Sequence, residues 1–166
     1  MIFASIGSML PFDRLTKGVD EWAAANPHTS VFLQIGEGEY EPRHCEWARI
    51  VPHIEYQRRL NQCSLFVAHV GMGSILQALE IGKQTLMMPR RAALREHTTD
   101  HQLQTAAKFR GVQGLRIVDE VADLQREISR LVHEPMSGSD GIPSTAPEAF
   151  TTRLNAFLTQ GLSTPT

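Results

Sequence analysis

Apolar residues fall in short dense blocks at 2–6, 31–35, 65–69, 85–88 and 115–118, with Ser5, Gln34 and Arg116 as the polar positions inside them. The first four end at Gly or Pro: Gly7-Ser8, Gly36-Glu37-Gly38, the loop after His69, and Pro89. Blocks of this length without alternation predict strands buried on both faces. Between them run stretches with helical spacing. Phe12, Leu15, Val19 and Trp22 mark one helix from the Pro11-Phe12-Asp13 start to about residue 25, broken by Asn26-Pro27. Further helices are expected at 54–61, 75–81, 100–109 and 121–132, and a short strand at 48–51 before Pro52. Strands alternating with helices predict an α/β fold: a Rossmann-like parallel sheet with helices on both faces.

The composition changes once, at residues 133–147, where Ser, Gly, Pro and Asp dominate. This divides the chain into a globular unit at 1–132, a flexible linker at 133–147 and a tail at 148–166. The tail carries an amphipathic helix at 149–162, with Phe150, Leu154, Phe157 and Leu158 on one face. That helix is expected either to cover its own domain or to hold a partner.

With 42% hydrophobic and 20% charged residues, the chain is an ordinary globular one. A net charge of −2 argues against a nucleic-acid binder. The apolar start lacks a basic flank and is too short for a signal peptide, and no stretch reaches the length of a bilayer span. A cytoplasmic protein is therefore expected. Cys45 and Cys63 read as ordinary thiols.

The chemistry centres on His69-Val70-Gly71-Met72-Gly73-Ser74, between a buried strand and a helix. Glycines let a backbone approach an anion, and a helix start offers unpaired amides and a favourable dipole. Ser74 adds a hydroxyl. The run is neither GxGxxG nor a P-loop. A second polar helix start, Glu96-His97-Thr98-Thr99-Asp100-His101-Gln102, follows the next strand and should face the same crevice. His97 and His101 share the spacing of zinc ligands, but no HExxH accompanies them, and no metal is expected. Arg90, Arg91 and Arg95 form a basic cluster, one of which is expected to meet a diphosphate or an acidic sugar.

These motifs, in this order, resemble the C-terminal domain of family 28 glycosyltransferases, in its small separate-chain type. That type includes the catalytic subunit of the dolichol-linked N-acetylglucosaminyltransferase and bacterial exopolysaccharide glucuronosyltransferase subunits. Ile6-Gly7-Ser8, Gln34-Ile35-Gly36 and the 96–102 run carry the likeness over about residues 1–132. It implies one half of a GT-B enzyme, with UDP-sugar as donor and no further cofactor. By position, the His69-to-Ser74 loop, with Gly71, Gly73 and Ser74, would bind the diphosphate, and Gly7, Ser8 and Arg90 are further donor-binding candidates. His53 and Ile54 match the segment that meets uracil, and His101 and Gln102 match a pair that bonds donor-sugar hydroxyls. The family's ribose-binding Glu is Gln77 here, with Glu80 one turn on as a partial substitute.

The implied reaction is inverting transfer from UDP-sugar to a lipid-linked saccharide acceptor. No general base stands out. The chain is too short for both halves, which implies a membrane-anchored partner subunit that supplies the acceptor site and keeps the chain at the membrane. A non-catalytic nucleotide-sugar module and a UDP-sugar epimerase-like enzyme are the competing readings.

Overall fold

A computed structural model describes residues 1–137 and Thr152. The remainder of the expected linker and the helix expected at 149–162 lie outside the described residues. Six parallel strands form one sheet: β1 (Ile2–Ser5), β2 (Val31–Gln34), β3 (Glu46–Ala48), β4 (Leu65–His69), β5 (Thr85–Met88) and β6 (Leu115–Ile117). Their order is β3-β2-β1-β4-β5-β6, so the strand order reverses between β1 and β4. Among the described residues, four α-helices connect strands, α1 (Asp13–Ala25), α2 (His53–Gln62), α3 (Met72–Glu80) and α4 (His101–Phe109), and a fifth, α5 (Val121–His133), follows β6.

The dense apolar blocks have a simple cause. Successive strand residues point to opposite faces, and both faces are covered. Ile2, Ala4, Leu33, Leu65, Val67 and Leu86 meet α1 and α5 through Leu15, Val19, Leu124 and Ile128. Phe3, Phe32, Phe66 and Met87 meet α2, α3 and α4 through Leu60, Ile75, Ala78 and Ala106. Helix α1 lies close against α5 at Gly18, where a Cβ would come within 2.9 Å of Val121. No helix among the described residues is long and apolar enough to cross a membrane.

Two boundaries differ from expectation. The strand expected at 48–51 forms earlier, at Glu46–Ala48, pairing Leu33 with Trp47. Beyond it, the Gln34 side-chain Oε1 accepts the Val51 N–H (3.0 Å), which satisfies that donor outside the ladder. Helix α3 begins at Met72 rather than Ile75, with Gly71 extended before it and the Ile75 N–H closing the first turn on the Gly71 carbonyl.

Asp20, on α1, is fully buried and organises the loop that leads to β3. Its carboxylate accepts from Tyr40 Oη (2.8 Å), the Arg43 and His44 amides (3.0 and 2.8 Å) and Cys45 Sγ (3.3 Å). Burial pushes the Asp20 carboxyl up, but these donors together outweigh it and hold it at about 2. Between that value and the ordinary 3.8, the unfolded chain binds a proton that the native state refuses. The resulting stability, about 2 kcal/mol, is present above the ordinary value and disappears as pH falls through about 2. Asp20→Asn should lower stability at neutral pH by at least this much and remove that part of the acid slope. Urea melts of both proteins from pH 7 to 2.5 would check it.

Candidate functional site

A cavity of about 560 Å³ opens at the carboxyl ends of β1, β4 and β5, at the point where the strand order reverses. Open α/β sheets bind ligands at this position, and the volume suits a small molecule. The exits of all three strands line it: Gly7 and Ser8 after β1, His69 and Gly71 after β4, Arg90 after β5. The early start of α3 places Met72, Gly73 and Ser74 in its first turn. First-turn amides have no intrahelical acceptor, and no side chain caps this helix, so its N–H groups and positive dipole end face the cavity. Gly73 is exposed, with nothing within 4 Å of where a Cβ would sit.

Gly7 and Gly71 are bare for a different reason: His69 lies between them. A Cβ at Gly71 would stand 2.2 Å from His69 Cε1, and one at Gly7 2.8 Å from Nε2. Gly7 also has φ +81, a conformation that side chains disfavour. Burial first, and then the nearby Arg90 cation, push the His69 imidazole down to about 4. The ring is thus neutral at physiological pH.

Long-range bonds from side chain to backbone hold the walls. Arg90 is 3% exposed, and its terminal nitrogens donate to the carbonyls of Ile6 (2.6 Å), Leu10 (2.7 Å) and Glu96 (3.4 Å). Burial lowers its guanidinium to about 10, still charged at neutral pH. Gln34 joins Gly7 O to the Val51 N–H. Glu96 takes a two-pronged bond from Arg14 (2.7 and 2.9 Å) and accepts the Arg91 N–H. Asp100 accepts the Ala92 N–H.

Most of the expected site residues meet here. Gly7, Ser8, His53, His69, Gly71, Gly73, Ser74, Gln77, Arg90, His101 and Gln102 all line the cavity. Ile54 does not: it is 85% exposed on the first turn of α2 and stands outside the lining. Glu80, at the far end of α3, is exposed and also outside. The basic cluster divides. Arg90 turns inward onto carbonyls. Arg91 pairs instead with Glu120 (2.7 Å) and the Asp119 carbonyl, while Arg95 is exposed. His97 and His101 stack edge to face at 4.3 Å, and no metal-holding group of His, Cys, Asp or Glu exists among the described residues. Sequence reasoning missed Ile50, Val51, Tyr56 and Met72 as lining residues, and missed Arg14 and Glu96 as wall ties. Arg14 and Glu96 stand 82 residues apart, and no local pattern joins them.

Comparison with known proteins agrees with this geometry. The structure of the glycotransferase of kitacinnamycin matches 81% of this chain at 25% identity, with a TM-score of 0.61. UDP-GlcNAc 2-epimerase from Neisseria meningitidis, bound to UDP-GlcNAc, matches 95% at 11% identity and TM-score 0.64, which shows a shared fold. The chain spans only 35% and 44% of those two proteins. The solution structure of ALG13 shares the fold at 15% identity and TM-score 0.60, over 92% of this chain and 93% of its own. No curated protein matches significantly in sequence. The model of the glycosyltransferase family 28 C-terminal domain matches residues 7–151, and the chain belongs to that family.

Proposed function

We propose that the cavity binds a UDP-sugar and that the chain is the donor-binding catalytic subunit of an inverting glycosyltransferase. The observation that carries this is the uncapped start of α3, open at Gly73, at the strand-order reversal. The donor's diphosphate would sit on the amides of Met72, Gly73 and Ser74. As the sugar–oxygen bond breaks, charge gathers on the leaving diphosphate, and these fixed donors stabilise it more than they stabilise the ground state. The neutral His69 ring would add a donor beside them. Gln77 lines the wall at the second turn of α3, the ribose position in this reading.

The acceptor on this reading is a lipid-linked saccharide, and the general base belongs to the acceptor half. A membrane-anchored partner subunit would supply that half and hold this chain at the membrane. Met9, Ile50 and Met72 support the partner. They line the cavity, yet are 86%, 64% and 47% exposed, with Ile54 and Leu76 on neighbouring helical turns. An apolar rim around a polar floor is a surface that another protein covers.

Gly73→Ala tests the donor site without disturbing the fold, because its methyl has room and alanine favours a helix. Wild-type protein with UDP or UDP-sugars about 100-fold above Kd should melt roughly 5–10 °C higher. The variant should melt at or above the unliganded wild-type temperature and bind about tenfold more weakly, since the added methyl holds phosphate off the backbone. Equal affinity in both proteins would remove the α3 site. Transfer is expected when the acceptor half is added. Binding without transfer would mark a regulatory module, and sugar interconversion without acceptor an epimerase.

A further inference from the structure

Gln102 is 3% exposed, and the bonds at both ends of its amide fix its orientation. Its Oε1 accepts the Arg90 backbone N–H at 3.1 Å. A backbone N–H can only donate, so this contact decides which end of the amide is oxygen. The Nε2 end then faces His69 Nδ1 at 3.2 Å. An amide NH₂ can only donate as well, so Nδ1 is the bare nitrogen, and a neutral ring carries its proton on Nε2. That nitrogen has no hydrogen-bond partner among the described residues and is not sealed from solvent. It lies on the Gly7 side of a ring that lines the cavity.

We propose that Gln102 is a positioning residue that fixes His69 as an Nε2–H donor aimed at the phosphate of the bound nucleotide. This rests on the UDP-sugar reading of the cavity. It gives Gln102 a role other than the sugar contact that the family resemblance implies, because its oxygen and one amide N–H are already engaged within the protein. The charged and titratable groups around His69 oppose its protonation. Arg90 from the β5 exit, His97 from the following loop and His101 from the start of α4 are all cationic or able to become so. Burial acts in the same direction. The site therefore offers a hydrogen bond whose donor does not change with pH across the neutral range.

Long-range ¹H–¹⁵N correlation spectra of the unliganded, full-length chain give the test. His69 should show a bare Nδ1 and a protonated Nε2, unchanged from pH 5.5 to 8. In Gln102→Glu the carboxylate accepts from the ring, so Nδ1 should become protonated and the His69 titration should rise by about two units or more. Gln102→Met removes the donor while keeping the volume. It should mix the two tautomers and weaken UDP binding about fivefold at pH 7.5. A wild-type ring protonated at Nδ1, or a Glu variant with an unchanged spectrum, overturns the proposal. The wild-type spectrum alone decides the tautomer, so a misfolded variant does not block the test. If the tautomer is as stated but UDP does not bind, the positioning role stands and the nucleotide reading fails.

Discussion

Gly71→Ala is expected to destabilise the protein by about 3 kcal/mol and to abolish nucleotide binding. The methyl would stand 2.2 Å from His69 Cε1 and 2.8 Å from Nδ1, well inside contact distance. The ring cannot retreat, because Gly7 flanks its Nε2 edge and Gln102 holds its Nδ1. It must leave its seat, which breaks the bond to Gln102 and strands a buried amide donor. Overpacking contributes about 1–3 kcal/mol, and the unmade buried hydrogen bond a similar amount. Urea unfolding should show a lower midpoint with an unchanged slope. The double variant His69→Ala/Gly71→Ala should be more stable than Gly71→Ala alone, because the clash is then gone. Simple additivity of the two single effects would count against the account, since residues in contact must couple.

Arg90→Ala should cost about 4 kcal/mol, which lowers the melting temperature by roughly 10 °C or more. Three carbonyls, from Ile6, Leu10 and Glu96, lose their donor together, and two of those bonds are under 2.8 Å. The variant also opens a cavity beside Phe12, whose ring lies 5.2 Å from the guanidinium carbon. Arg90→Lys should recover only part of the loss, because an ammonium holds its donors on one atom while the guanidinium divides them between two. UDP affinity should fall in both variants, since Arg90 holds the β1 exit in place. A thermal melt and a UDP titration of each check this, and a Lys variant with wild-type stability would contradict it.

Much of the fold was legible because buried parallel strands leave an unmistakable trace. The blocks at Leu65–His69 and Thr85–Met88 coincide with β4 and β5 residue for residue. The start of α3 was less legible, since Gly71-Met72-Gly73 reads as loop by propensity, yet the helix begins at Met72. The third strand forms at Glu46–Ala48, and the Val51 N–H three residues on bonds the Gln34 side chain, a long-range tie that local pattern does not show. At the site, the residue types were legible but their division of labour was not. Arg90, Arg91 and Arg95 look alike in sequence, yet only Arg90 meets the Ile6 and Leu10 carbonyls, 84 and 80 residues away. Gln102 lines the cavity as expected, but its bonds to Arg90 and His69 join residues that no local pattern links.

The central place of the first strand has a consequence for the newborn chain. Translation delivers β1 well before β4, whose residues begin at Leu65 and pair with one of its edges. Until those residues leave the ribosome, Ile2-Phe3-Ala4 presents an apolar strand with an open rim and no partner to close it. The cavity cannot exist before then, because ties from Arg90, beyond β5, to the Ile6 and Leu10 carbonyls hold its walls. Folding order thus makes the cavity a late product and leaves β1 in need of shelter from self-association until β4 arrives.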